Sequence, residues 1–157
     1  MAAGKAHGIK ACGYRAIESL RLEKGYRAWA GEINTETNPY EAGLGFAVSL
    51  KKENFHGKAA ALAAQANLTR KLVAITFDDI TCVPFGSEPM RIGEKIVGRI
   101  KSGGQGYTIK KAIAYAYLPI AQTEVGTKVD VEFFGTWRSG VICAEPLFDP
   151  SNERIRL

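Results

Sequence analysis

The sequence predicts an α+β protein, with a mixed helix/strand N-terminal piece over residues 1–68 and an all-β C-terminal piece over residues 69–157. Two observations carry this division. Before residue 68, alanine-rich and one-face apolar patterns are broken by glycine stops, the signature of short helices. After Arg70, short β-branched and aromatic runs alternate with turn residues. About six such runs at this spacing describe a small antiparallel barrel or sandwich.

Each element has a local reason. Met1 to His7 is alanine-rich, and Gly8 offers a helix stop, so this stretch reads as the end of a helix. Gly13 opens a helix over Tyr14 to Leu22, with Ala16, Ile17 and Leu20 on its apolar face; Gly25 closes it. Tyr26 to Trp29 reads as a short strand. In Thr37-Asn38-Pro39, Asn38 suits an N-cap and Pro39 a first helical position, starting a turn that stops at Gly43. Phe46 to Leu50 is a strand candidate, and Gly57 to Ala66 a helix that Asn67 closes. The strands of the second piece are Leu72–Phe77, Pro89–Ile92, Lys95–Ile100, Ala112–Leu118, Lys128–Phe134 and Trp137–Ala144. Gly93-Glu94 turns one hairpin, and Ser102-Gly103-Gly104-Gln105-Gly106 reads as a flexible loop.

Bulk properties narrow the function. The chain is 46% hydrophobic and 24% charged, as globular proteins are, and no apolar run of about 18 residues suggests a membrane span. Its first residues lack the basic-then-apolar order of a secretory signal. The net charge of +5 favours anionic partners, yet the basic residues are scattered, so a solvated surface is favoured over a nucleic-acid face. Cys12, Cys82 and Cys143 are far apart and form no CxxC pair, which points to buried, reduced thiols rather than a metal or disulfide frame.

Familiar catalytic patterns are sparse. His7 and His56 stand alone, Asp78-Asp79 reads as a solvated strand end, and SGGQG has no following GK[ST] to make a phosphate loop. Glu23 is the exception. It sits at a helix C-terminus, where the dipole disfavours a negative charge by about 0.3–1 kcal/mol. Either Lys24 and Arg27 neutralise it, or it recognises a pair of donors on a ligand.

The stretches GYRAIESLRLEKGYRAW, INTETNPYEAGLGFAVSL, NFHGK and SEPMRIGEKIVGRIKSGGQGYTIKKAIAYAYLP together resemble the C-terminal half of the aminomethyltransferase (glycine cleavage T-protein) family. Within it they are most similar to the folate module of FAD-dependent dimethylglycine and sarcosine dehydrogenases or oxidases. The resemblance runs from about Ala3 to Arg156 and implies that the second piece is an antiparallel six-stranded β-barrel.

It also implies a tetrahydrofolate-binding role, in which a one-carbon unit from an amine is captured as methylene-tetrahydrofolate. Glu23 matches the family's pterin-binding glutamate, whose carboxylate suits the paired N–H edge of that ring. Lys52 falls where the family carries a folate-contacting arginine; lysine keeps the charge and loses the planar fork. The closing PLFDPSNERIR resembles a terminal segment that returns to the site, with Arg154 the contact and Asn152 its neighbour. Tyr14 and Trp29 are candidate cavity walls, with ordinary core packing the favoured alternative. The family's catalytic aspartate and the FAD domain belong to the N-terminal part, so no catalytic residue is expected in this chain. It reads as a fragment, inactive alone, that meets the missing domains in cis or in trans. Such an origin implies exposed apolar surface, possible self-association, and a cytoplasmic setting (mitochondrial matrix in a eukaryote). Neither nucleic acid nor membrane is an expected partner; the alternative is a non-catalytic folding or interaction module of the same fold.

Overall fold

The computed structural model describes residues 1–154 and 156. Two helices, α1 (Tyr14–Lys24) and α2 (Lys58–Ala66), precede six strands: β1 (Arg70–Phe77), β2 (Pro89–Ile92), β3 (Lys95–Gly106), β4 (Lys111–Pro119), β5 (Lys128–Phe133) and β6 (Thr136–Cys143). The strands close into an antiparallel barrel in the order β1-β4-β3-β2-β5-β6, with β6 returning to β1. Closure leaves no unpaired sheet edge, which suits a small all-β unit.

The barrel has one filled interior and one covered wall. Val73, Ile75, Phe77, Met90, Ile100, Ala112, Ala114, Ala116, Leu118, Val129, Val131, Phe133 and Ile142 pack inside. Successive strand residues point to opposite faces. The alternate residues of β1 and β4, namely Leu72, Ala74, Ile113, Tyr115 and Tyr117, therefore lie outside, and there they form a second cluster with Leu22 of α1. This is why every residue of β4 from Ala112 to Leu118 is buried. The outward tyrosines carry polar tips into the N-terminal piece. Tyr115 donates to the Leu22 carbonyl and Tyr117 to the Glu32 carbonyl, both at 3.0 Å.

Several elements follow the sequence reading and several do not. Gly25, at φ 74°, closes α1 in the left-handed conformation, and the Tyr26 N–H reaches back to the Arg21 carbonyl. Asn38 caps its turn, its Oδ1 accepting the N–H groups of Tyr40 and Glu41 at 3.0 Å each. Asn67 follows α2 as expected, and Met1–His7 holds only a short 3₁₀ turn before Gly8.

The expected strand at Tyr26–Trp29 is absent. Its backbone groups are taken locally: the Tyr26 N–H donates to the Arg21 carbonyl, the Ala28 N–H to Glu32, and the Ala28 carbonyl accepts from Gly31 and Ile33, leaving an isolated bridge between Trp29 and Ile33. The expected strand at Phe46–Leu50 does not form: a 3₁₀ turn spans Gly45–Ala47, and local backbone bonds from Val48 to Gly45 and from Leu50 to Val48 continue the bend. The helical face is also corrected. Ala16, Ile17 and Leu20 point outward, while Ser19, Leu22 and Glu23 are buried.

The largest correction concerns SGGQG, which is the second half of β3 rather than a flexible loop. Ser102 pairs with Tyr115, Gly104 with Ile113 and Gly106 with Lys111. Its glycines allow close approach. A Cβ at Gly104 would stand 2.6 Å from Leu22 Cδ1 of α1. The reading of the cysteines as buried also needs amending, since Cys12 is exposed while Cys82 is buried.

Candidate functional site

Glu23 occupies the last turn of α1, where Leu22 anchors the helix on the outer wall of the barrel. Its side chain is only 1% exposed. Neither neighbouring cation neutralises it. Lys24 Nζ pairs instead with Asp149 Oδ2 at 3.1 Å, and Arg27 with Glu145 at 2.7 Å. Among the described residues no lysine or arginine forms an ion pair with Glu23. The β3–β4 turn takes that place. The backbone N–H groups of Thr108 and Ile109 donate to Glu23 Oε1 at 2.7 and 3.2 Å. Oε2 accepts no hydrogen bond among the described residues, and it is not a sealed, unsatisfied atom. One carboxylate oxygen is thus fixed by backbone dipoles while the other keeps its lone pairs.

Two concave surfaces border this corner. Thr108 lines a groove of about 620 Å³ with Ser19, Leu20, Leu22, Phe85 and Gly104. Lys24 lines a second, of about 770 Å³, with Arg27, Phe46, Glu145 and Asn152.

The closing segment comes back to this corner. The Phe148 N–H donates to the Glu23 carbonyl at 3.0 Å, and Lys24 Nζ binds the Asp149 carbonyl at 2.5 Å. Arg154, itself exposed, stacks its guanidinium 5.4 Å from the centre of the Phe148 ring. Asn152 lines the larger groove; Ile155 lies outside the described residues. Lys52 is exposed in a turn, where its carbonyl accepts from Lys58 Nζ. Tyr14 and Trp29 are 80% and 68% exposed, so core packing is not the role of either. His7 and His56 are exposed. Asp78 pairs with Lys111 at 2.8 Å, and Asp79 accepts from Thr81. The structure therefore brings the segment carrying Asn152 and Arg154 back to the end of α1 through Phe148, with no side-chain contact between Arg154 and Glu23 among the described residues, and leaves Lys52, Tyr14 and Trp29 exposed elsewhere.

A buried charge network holds α1 to the strand beside it, and the sequence reading did not find it. Glu32, fully buried, accepts from Arg21 Nη1 at 2.6 Å, from the Ala28 N–H at 2.7 Å and from the Ser102 hydroxyl. Arg21 also binds Glu18. Burial pushes the Glu32 carboxyl up, but the hydrogen bonds from Arg21, Ala28 and Ser102, with the Arg21 charge, outweigh it and hold it below its ordinary value. Arg27 makes a two-pronged contact with both oxygens of Glu145 at 2.7 and 2.8 Å, and lies over the Tyr115 ring. Burial drives the Tyr115 hydroxyl's pKa well above the ordinary tyrosine value, with nearby Glu145 adding to the shift. The signal missed was the partner spacing. Arg21 and Glu32 are 11 residues apart and Arg27 and Glu145 are 118 apart, separations that only a folded chain brings together.

A closed six-stranded barrel, with a helix and a looped arm packed on one wall and a buried acid at their junction, defines the class. It is the C-terminal architecture of the aminomethyltransferases. Residues 70–149 match the glycine cleavage T-protein C-terminal barrel domain, and residues 1–52 match the GCVT N-terminal domain. The chain belongs to the glycine cleavage T-protein family. It is 41% identical to human mitochondrial dimethylglycine dehydrogenase over 99% of its own length and 18% of that protein. To the aminomethyltransferase of Symbiobacterium thermophilum it is 38% identical, covering 97% of the chain and 41% of the enzyme. The crystal structure of the glycine cleavage system aminomethyltransferase T from Bartonella henselae superposes with a TM-score of 0.83 at 27% identity, over 90% of this chain and 40% of that one. The chain thus spans less than half the length of these relatives.

Proposed function

We propose that this chain supplies the pterin-recognising wall of a tetrahydrofolate site in a one-carbon transfer protein of the aminomethyltransferase or dimethylglycine/sarcosine dehydrogenase kind. The observation that carries the reading is Glu23: a carboxylate 1% exposed, with no cation and no partner for Oε2 among the described residues. A buried carboxylate is stable only when its oxygens meet donors. Thr108 and Ile109 satisfy Oε1, and the ring N–H and amino group of a pterin are the donors that suit Oε2. The groove of about 620 Å³ that Leu22 and Thr108 line beside Glu23, and that Glu23 itself does not line, is within the size range of small-molecule sites.

Tetrahydrofolate, when bound, supplies the nitrogen nucleophiles that accept the one-carbon unit. The residues of this chain orient it. Glu23 fixes the ring edge, and Lys52 and Arg154 attract the carboxylate tail, with Tyr14 and Trp29 as exposed aromatic surface for the enclosing wall. In this reading residues 1–68 complete the folate-binding part and residues 69–157 form the barrel. Acid–base chemistry and amine oxidation belong to parts of the longer relatives outside this chain, and a mitochondrial matrix setting follows if the source is eukaryotic.

Glu23→Gln tests the reading. Gln keeps the size but replaces one acceptor oxygen by a donor, so 5-formyltetrahydrofolate binding, followed by titration of backbone amide resonances, is expected to weaken at least about tenfold, a loss of about 1.4 kcal/mol. Unchanged affinity removes the proposal. The outward face of Ala16, Ile17 and Leu20 favours a second reading, a non-catalytic interaction module, and that reading is the one left standing if the native chain binds no folate.

A further inference from the structure

We infer that the second half of β3 and its turn, residues 102–109, are a positioning element for the Glu23 carboxylate, with Gly106 the residue on which the positioning turns; this rests on the folate reading above. The element touches the arm and α1 at three successive points. The Ser102 hydroxyl donates to Glu32, the Ser19 hydroxyl donates to the Gln105 carbonyl, and the Thr108 and Ile109 N–H groups donate to Glu23 Oε1. Gln105 ties the element in place from the other side, its Nε2 donating to the Ile80 carbonyl at 3.2 Å and its Oε1 accepting from the Tyr107 hydroxyl at 2.5 Å.

The helix makes this support necessary. Glu23 is at the negative end of α1, so its own helix pushes the carboxylate away. The two amide dipoles of the turn are what hold it against the wall, and they fix its plane so that Oε2 presents in one direction.

Gly106 is where that geometry has no slack. A Cβ there would stand 2.8 Å from both Ile109 Cγ1 and Ile113 Cδ1, and 3.1 Å from Glu23 Oε1 itself. Ile113 is fully buried in the α1-covered wall, where packing leaves little room. Relief therefore comes from Ile109, in the turn carrying the two amides, or from the carboxylate. Gly140 of β6, outside the element and the groove, is the matched control. Its Cβ would meet Phe77 Cε1 at 2.8 Å and Ile75 Cγ2 at 2.9 Å inside the barrel, with no carboxylate atom among its near neighbours.

The experiment compares the native chain with Gly106→Ala and Gly140→Ala. Urea unfolding is measured for each, together with 5-formyltetrahydrofolate affinity and the proton shifts of the Thr108 and Ile109 amides. Positioning predicts that Gly106→Ala weakens affinity at least about tenfold and moves both amide signals upfield, while Gly140→Ala loses comparable stability and binds within about twofold of native. Native-like affinity in Gly106→Ala overturns the inference and leaves the role of Glu23 to its own substitution. Equal losses in the two variants also overturn it, because packing alone would then explain both. If the native chain does not bind the probe, the folate reading fails and this inference falls with it.

Discussion

Replacing Glu32 with alanine is expected to destabilise the chain by about 3–5 kcal/mol, the range for breaking a buried ion pair from one side. The side chains of Arg21 and Glu32 are 11% and 0% exposed, so water cannot replace the lost partner well. The substitution leaves the Ala28 N–H and the Ser102 hydroxyl unpaired as well, each a further penalty of about 1–3 kcal/mol if it stays dry. Relaxation of the arm lets solvent reach some of these groups, which keeps the total from being the sum. Urea unfolding at neutral pH measures the change. A loss below about 1 kcal/mol would show that the network is solvated and contributes as weakly as a surface pair.

The same residue sets an acid limb. Glu32 titrates below its ordinary value of 4.5 in the folded chain. As pH falls, the unfolded chain takes up this proton first, so the contribution of Glu32 is complete above about 4.5 and is lost as pH falls toward the folded value. The urea midpoint of the native chain is expected to drop over that window, and Glu32→Gln to flatten the drop. An unaltered slope in the variant would assign the limb to other carboxyls.

Arg27→Ala is expected to lower stability by about 2–3 kcal/mol, less than for a fully buried pair because the Glu145 side chain is 23% exposed. Arg27 joins three parts of the chain. Its Nε donates to the Ala42 carbonyl at 3.0 Å, its fork grips Glu145 after β6, and its plane covers Tyr115 on β4. Arg27→Lys keeps the charge and loses the fork and the stacking, so it should recover less than half of the loss. Thermal unfolding of the three proteins decides this; a lysine variant as stable as the native chain would show that charge alone matters at this position.

The local grammar was legible in the residues. Gly25 stops α1, Asn38 caps its turn, Gly93 turns a hairpin, and the β-branched runs after Arg70 become strands within a residue or two of their expected ends, except β3, which runs six residues further. These features depend on contacts a few positions apart, which a sequence displays directly. Glu23 too could be singled out, because a carboxylate at a helix C-terminus is a local anomaly.

What only the tertiary structure decided was which face of each element is covered and which charges meet. Periodicity marked Ala16, Ile17 and Leu20 as the buried side of α1, yet the barrel wall takes Ser19, Leu22 and Glu23. SGGQG has the composition of a loose connection, and it becomes strand by pairing with β4, its glycines letting Pro84, Leu22 and Ile113 pack where side chains would otherwise stand. Lys24 and Arg27, next to Glu23 in the chain, turn to Asp149 and Glu145 instead. The physical reason is common to all three. Hydrophobic patterning and turn chemistry act between near neighbours, whereas the partner of a buried charge is chosen by desolvation across the whole fold. The sequence determined an α+β chain with a helix stop at Gly25 and an acid beside it; the folded barrel alone decided that two backbone amides would hold that acid.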